Sequence, residues 1–400
     1  MTPLVGTALA VLAVAAFAAP LLAEQVGIPG AVLELVVGLA LGWVLPSSTY
    51  ASGTFIASLG ALGFIILMFL VGVELDLRSI WKGSKRSIVA GVLLFVVSLA
   101  TSQFLLGSVL NASPFWVLCG AATSVGITAP VLYSQGILNS SFAKEVLLVG
   151  SVAEFSYIIA LNFVAAFANH SLHTVAILVG LRTSALVLLA VAVAVVIRKL
   201  RTRIPHHFQR FFRRDDPIEL GLRGTFALMF FIVAGTSFIK IPDVLGALMA
   251  GIIFRTVMGN AKAIVERLTS VANSFFIPLF FLSVGLQTPL HLSLIALLPL
   301  VGLVLVVLFL PRLLLIPFLM WRGNSLRLSA SGSMLLMAPL TLLITTAELG
   351  RSAGILSAQT GAAMIVTATL STLVFPVVGK KLLPEAEHMQ ETASGHAAVG

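Results

Sequence analysis

The run Gly120-Ala121-Ala122-Thr123-Ser124-Val125-Gly126-Ile127-Thr128-Ala129-Pro130 interrupts an otherwise apolar stretch with two glycines, three hydroxyl residues and a proline. A single helix crossing a bilayer needs none of these. A helix that unwinds partway and leaves carbonyl and N–H groups free beside a polar cavity needs all of them. A second run of the same kind lies some two hundred residues further on. It extends from Gly332 to Pro339 and is followed by Thr341, Thr345 and Thr346. Paired interrupted spans in matching places point to an ion site near the bilayer midplane, where half-helix ends and freed carbonyls can hold a cation. Pro kinks and Gly packing contacts are the plainer explanation of either run taken singly.

The rest of the chain supplies the membrane that this reading requires. Of 400 residues, 59% are hydrophobic and 10% are charged, and the mean hydropathy is +1.10. A soluble domain is about a quarter charged. Runs of about 20 apolar residues, enough to cross the hydrocarbon core, number thirteen: 3–23, 28–46, 55–74, 86–110, 114–135, 144–168, 174–198, 218–239, 242–258, 273–289, 293–320, 328–349 and 354–379. The interrupted runs fall in the fifth and twelfth. Residues 1–23 contain no Lys or Arg, so they read as a first membrane helix rather than a signal peptide. The formal charge of +9 is carried by short basic runs on alternate loops, from Arg78, Lys82 and Lys85 through Arg198–Arg214 to Lys380 and Lys381. The other loops hold little beyond Lys240 and Arg351. By the positive-inside rule the N-terminus is expected outside and the C-terminus in the cytoplasm, in the cell's inner (plasma) membrane. No basic module remains to bind nucleic acid. The lone Cys119 excludes an internal disulfide and a Cys-based metal cage. Six spans precede the seventh and six follow it, so the second six enter from the opposite face and the halves are expected to form an inverted repeat.

Glu154 is the most informative charge. It lies about ten residues into the sixth span, in Gly150-Ser151-Val152-Ala153-Glu154-Phe155-Ser156. An ionisable group at mid-bilayer costs about 2.5–3.5 kcal/mol on insertion scales and is functional by default. A carboxylate there can hold a proton, or lose it and hold a metal cation, and the exclusivity of the two is the chemical basis of exchange. Arg312, in Leu310-Pro311-Arg312-Leu313 of the eleventh span, has three readings. It can pair with a carboxylate, meet freed helix-end carbonyls, or reach for the interface. Glu34 and Arg182 are lesser candidates, and Glu74 and Asp76 read as a solvated span end beside Arg78. Glu219 and Arg223, spaced i, i+4, are expected to pair with each other. His206 and His207 read as loop residues with the capacity to sense cytosolic pH.

On these residues the chain resembles the monovalent cation:proton antiporter-2 family with its NhaA-type inverted-repeat fold, over residues 25–382. Four stretches carry the resemblance: Gly27-Ile28-Pro29 through Glu34 to Gly38 and Gly42; Leu62-Gly63-Phe64 through Phe69-Leu70-Val71-Gly72-Val73-Glu74-Leu75-Asp76-Leu77-Arg78; Ala122 to Thr128; and Phe275-Phe276-Ile277-Pro278-Leu279-Phe280-Phe281 with Ser283-Val284-Gly285. The chain departs from the family in two places. Ala153-Glu154 stands where the family usually carries an Asp-Asp, Asn-Asp or Gln-Asp pair, so the second carboxylate is kept as Glu and the first is absent, and Pro339-Leu340-Thr341-Leu342 stands where many members have an Arg-Gly-Glu run. The resemblance implies an all-α membrane fold with two crossing unwound helices. It assigns 1–80 and 217–290 to a dimer scaffold, and 81–170 and 291–382 to an ion-binding core. A linker helix and basic loop occupy 171–216, and a disordered tail occupies 383–400. It also implies a monovalent cation (Na⁺ or K⁺) held at Glu154 with Ser151, Thr123, Ser124 and Thr128. Arg312 is the core basic residue, and Gly126, Pro130, Pro339 and Thr341 are the elements of the unwound segments. The implied activity is cation/proton exchange by a homodimer, 1:1 and electroneutral, by elevator-like alternating access, without cofactor or catalytic residue. An ion-coupled organic-solute carrier of the bile-acid-symporter kind and a passive K⁺ efflux conduit are the alternatives.

Overall fold

Apolar helices make up nearly all of the described backbone, because a chain in lipid must satisfy its N–H and C=O groups within itself. The computed structural model describes residues 3–26, 28–45, 54–74, 84–108, 112–167 apart from 136 and 139, scattered positions between 188 and 203, 218–238, 243–258, 261–288 and 294–383. Among these, nine helices are long and apolar enough to cross a membrane, and the shorter apolar helix Gly30–Leu41 joins them. The seventh span, the loop bearing His206 and His207, Arg182, Asp76, Arg78, the side chain of Pro130 and the tail beyond 383 lie outside the described residues, wholly or for the most part.

The helices group into two units. The first comprises residues 1–78 and 169–288. It holds α1 (Pro3–Val26), α2 (Gly30–Leu41), α3 (Phe55–Glu74), α8 (Leu220–Phe238), α9 (Asp243–Met258), α10 (Lys262–Val271) and α11 (Ile277–Gln287). Its helices pack chiefly as α3 on α9 and α2 on α11. Both contacts are made at glycine: a Cβ on Gly72 would overlap the Leu248 carbonyl and one on Gly251 the Phe69 carbonyl, while Gly38 and Gly285 stand in the same relation to Leu282 and Leu35. Small residues permit this backbone approach, which gives helix association in lipid its dispersion energy. Leu12, Ile56, Leu279, Leu282 and Leu286 form a buried cluster beside it.

The second unit comprises 79–168 and 289–400. It holds α4 (Lys85–Ser102), α5 (Pro114–Gly120), α6 (Thr128–Ser134), α7 (Ser141–Phe167), α12 (Leu294–Arg312), α13 (Leu315–Trp321), α14 (Leu326–Leu335), α15 (Leu340–Ser352) and α16 (Ala358–Leu382). Caps fix where several of these begin. Pro114 opens α5, the Ser325 hydroxyl accepts the Leu328 N–H, and the Ser357 hydroxyl accepts the Thr360 N–H.

The eleventh span carries a tightened turn after Arg312 that divides it into α12 and α13, where the Leu313 and Leu314 N–H groups reach back three residues to Leu310 and Pro311 and the backbone stays helical. Pro311 lacks the N–H that would carry the ladder smoothly through this point. Two expectations are corrected. The tenth span begins earlier than expected. Lys262 and Arg267 are helical, and α10 runs through a π-helical turn (Ala272–Phe276) into α11. Glu219 does not pair with Arg223. It lies before the start of α8 with φ 50°, and that backbone turn sends its carboxylate to Arg267 at 2.5 Å.

Candidate functional site

Both interrupted runs are unwound, and they meet. Residues 121–127 separate α5 from α6, and 336–339 separate α14 from α15. Thr128, the first residue of α6, places its hydroxyl 2.9 Å from the carbonyl of Leu335, the last residue of α14, and 3.3 Å from the Ser124 carbonyl. Pro339 holds the capping position of α15. It cannot donate an N–H and disfavours helix in the residue before it, so α14 stops short of it.

Glu154 is buried in α7 and turns its carboxylate onto the first unwound run. Oε2 accepts the Val125 N–H at 3.0 Å, and Oε1 accepts the Ser124 hydroxyl at 3.3 Å. The Gly126 N–H donates to the Ser124 oxygen at 3.2 Å, so the hydroxyl proton of Ser124 is directed at the carboxylate. N–H and O–H donors of this kind favour the ionised form of a carboxylate over the protonated one.

Arg312 is fully buried. Its Nη1 donates to the carbonyls of Gly120 (3.0 Å) and Leu308 (2.8 Å), and Nη2 to the Ala122 carbonyl and to Thr123 Oγ1 (2.8 Å). Its Nε has no hydrogen-bond partner among the described residues. Of the three sequence readings, the geometry selects the helix-end carbonyls. Unwinding leaves the last carbonyls of α5 unpaired at the negative end of its dipole, and a cation belongs there. Ser333 Oγ in turn donates to the Arg312 carbonyl at 2.7 Å, tying α14 to the end of α12.

The site therefore joins Glu154 with Ser124, and Arg312 with Thr123, on opposite ends of one unwound run. Ser151, one turn before Glu154, is half-buried. Thr128 bonds carbonyls rather than the carboxylate. Thr341 lies half-buried in the first turn of α15, its carbonyl taken by Thr345 Oγ1 at 2.6 Å. Two contacts escaped the sequence reading. The Val125 N–H carries no side-chain signal, and Tyr157, one turn beyond Glu154, bonds Thr346 of α15 at 2.5 Å. The unusual polarity of Tyr157 and Thr346 inside apolar spans was the available clue. Glu34, by contrast, is buried in α2 of the first unit. Among the described residues no group of three His, Cys, Asp or Glu gathers as a metal site.

A many-helix membrane protein with crossed unwound segments, a buried carboxylate on one and a buried guanidinium on the same run has the architecture of an ion-coupled membrane carrier. The chain belongs to the family described as sodium/hydrogen exchanger, transmembrane, which matches residues 12–383, and it is thereby a monovalent cation:proton antiporter family member. Among its relatives is the putative Na⁺/H⁺ antiporter YjbQ of Bacillus subtilis, 26% identical over 96% of this chain and 64% of that protein. Cation/H⁺ antiporter 17 of Arabidopsis thaliana is 29% identical over 65% of this chain and 33% of its own. Na⁺/H⁺ antiporter NhaS5 of Synechocystis is 27% identical over 70% and 39%. The chain thus spans less than two thirds of the length of each of these relatives. Its fold is similar to that of the sodium proton antiporter MjNhaP1 from Methanocaldococcus jannaschii, with a TM-score of 0.63 over 95% of this chain and 99% of that one, at 17% identity.

Proposed function

We propose that the protein exchanges a monovalent cation, Na⁺ or K⁺, for protons at Glu154. One observation carries the reading: a buried carboxylate accepts bonds from Val125 N–H and the Ser124 hydroxyl at an unwound crossing, while Arg312 donates to the carbonyls at the end of α5 and to Thr123. Proton and cation compete for that carboxylate, and Ser124, Thr123 and the free carbonyls of the unwound run complete the cation's shell. Ser151 and Thr128 stand close enough in the chain to join it after a rotamer change, while Gly126, Pro130, Pro339 and Thr341 shape the unwound segments.

The exchange is 1:1 and electroneutral. Arg312 keeps its charge through the cycle, and with one site carboxylate the carrier has equal charge with H⁺ or with the cation bound. Residues 81–170 and 291–382 form the ion-carrying core, which moves elevator-fashion against a dimerising scaffold of 1–80 and 217–290. The grouping of the helices into two contact units supports this division. A thirteen-span inverted repeat, N-terminus outside and C-terminus cytoplasmic, underlies both parts. The reciprocal glycine contacts, α3 on α9 and α2 on α11, support the repeat, since each is the counterpart of the other when the second and third spans exchange with the ninth and tenth.

The test is proton release from everted vesicles on adding Na⁺, K⁺ or Li⁺, read by a pH-gradient dye, for wild type and Glu154→Gln. Cation-evoked dequenching that falls about a hundredfold or more in the variant, the scale of losing an essential proton carrier, is the expected result. A variant as active as wild type, or no response to any cation between about pH 6.5 and 9 (a window above the usual carboxylate range), removes the reading.

A further inference from the structure

Glu145 is a second buried carboxylate of the core unit, at the first turns of α7 and nine residues before Glu154. Its Oε1 accepts Arg322 Nε at 2.6 Å and the Ser87 hydroxyl at 3.0 Å. Ser87 lies in the first turn of α4, and Arg322 follows the last residue of α13. Next to Arg322, Trp321 carries the Arg86 guanidinium over its ring at 5.2 Å. Two adjacent residues at the end of α13 are thus clasped by two adjacent residues at the start of α4, with Glu145 of α7 between them.

The clasp matters because of what precedes it. A tightened turn of i→i−3 bonds follows Arg312, so α13 continues α12 through a weakened joint. Leu315 and Leu319 bury one side of α13, but apolar burial is non-directional and does little to fix how a seven-residue helix rolls beyond such a joint. A charged pair with one partner buried fixes position, since separating it strands a carboxylate in low dielectric.

We propose that Glu145 and Arg322, with Ser87, are positioning residues: a latch that anchors the far end of α13 and so keeps Arg312 seated on the carbonyls of Gly120 and Ala122. The inference rests on the reading of Glu154 and Arg312 as transport groups, and it locates a control of their geometry at the opposite end of two helices.

Cys119 is the chain's single cysteine, fully buried in α5 one residue before Gly120, and it reports on that seat independently of transport. In membranes of the full-length protein, N-ethylmaleimide labels a buried thiol only through an open form. Glu145→Gln and Arg322→Gln are expected to raise the labelling rate about tenfold, in proportion to the open population, with Arg312→Gln marking full unmasking. The exchanged pair Glu145→Arg with Arg322→Glu, and separately Arg322→Lys, return labelling to within about threefold of wild type, because each restores a charge pair. The pH profile of cation-evoked proton release shifts in the Gln variants and returns in the restored ones. Cys119 as protected in Glu145→Gln as in wild type, with an unmoved profile, overturns the latch, and so does labelling that stays high in both restored variants. Labelling that follows the pattern in membranes where wild type releases no protons to any cation upholds the latch and removes the exchange reading instead.

Discussion

The two units have similar apolar composition and opposite interiors. Where the first unit is tightest, α3 meets α9 and α2 meets α11 at glycines, backbone on backbone, and among the described residues its one buried charged side chain is Glu34. The second unit buries Glu145, Glu154 and Arg312, together with a run of hydroxyls from Ser87 to Thr372, and it interrupts two of its helices. Close glycine packing has few alternative arrangements and resists deformation. Buried charge on unwound backbone is costly, and its cost is offset only by specific partners. The contrast separates a unit packed backbone on backbone from a unit whose interior is polar and unwound.

That contrast can be broken most sharply at Arg312. Its replacement by Ala leaves the carbonyls of Gly120, Ala122 and Leu308 without their donor, and exchange should fall about a hundredfold or more, with loss of an interaction of charged-pair size in the interior. Arg312→Lys should retain part of the activity. A Lys releases its proton far more readily than Arg, so the variant should gain a potential-dependent component of flux in proteoliposomes that wild type lacks. A transport current in wild type would overturn electroneutrality.

The next effect is on pH. If proton and cation share Glu154, protonation removes cation sites. The apparent KM for the cation should therefore rise as pH falls, by about tenfold per unit once the carboxylate is mostly protonated, and level off at high pH where it is ionised. A KM independent of pH would separate the two substrates and dissolve the single-site scheme.

The first unit should answer differently. Gly72→Val or Gly251→Val forces a side chain into the opposing backbone and should cost about 1–3 kcal/mol of stability, seen as a lower melting temperature and less assembled protein. The KM of the surviving fraction should stay unchanged. Gly302→Val, with open space at its Cβ, serves as the silent control. A changed KM in Gly72→Val would place transport control in the scaffold. Smallest of all, Tyr157→Phe removes one buried hydrogen bond to Thr346 and should cost about 1 kcal/mol, with exchange kept within about threefold, since the hydroxyl is spent on Thr346 of α15.

Much of this was open to reading before any coordinate. Apolar runs of membrane length declare themselves by composition, because lipid imposes a local requirement on every residue of a span. Glu154 and Arg312 stood out for the same reason, as charges where charge is costly. The glycines and prolines of 120–130 and 332–339 announced broken helices, because backbone freedom and a missing N–H are properties of single residues. Misreadings came where partners are distant. Glu219 had a plausible neighbour four residues away and took Arg267 instead, 48 residues on. The tightened turn after Arg312 was hidden within a run of uniform hydropathy.

What the sequence by itself determined, then, was the class: an all-helical membrane protein of the exchanger family, with its interruptions and its isolated charges. Only the tertiary structure decided who meets whom. Arg312 lies near 190 residues from Ala122 and Thr123, and Arg322 lies 177 from Glu145. Sequence alone offered the guanidinium a carboxylate, a set of carbonyls or the lipid interface. Which one it takes depends on where α12 ends against α5, and that is set by the packing of whole helices, not by any local preference of the residues concerned.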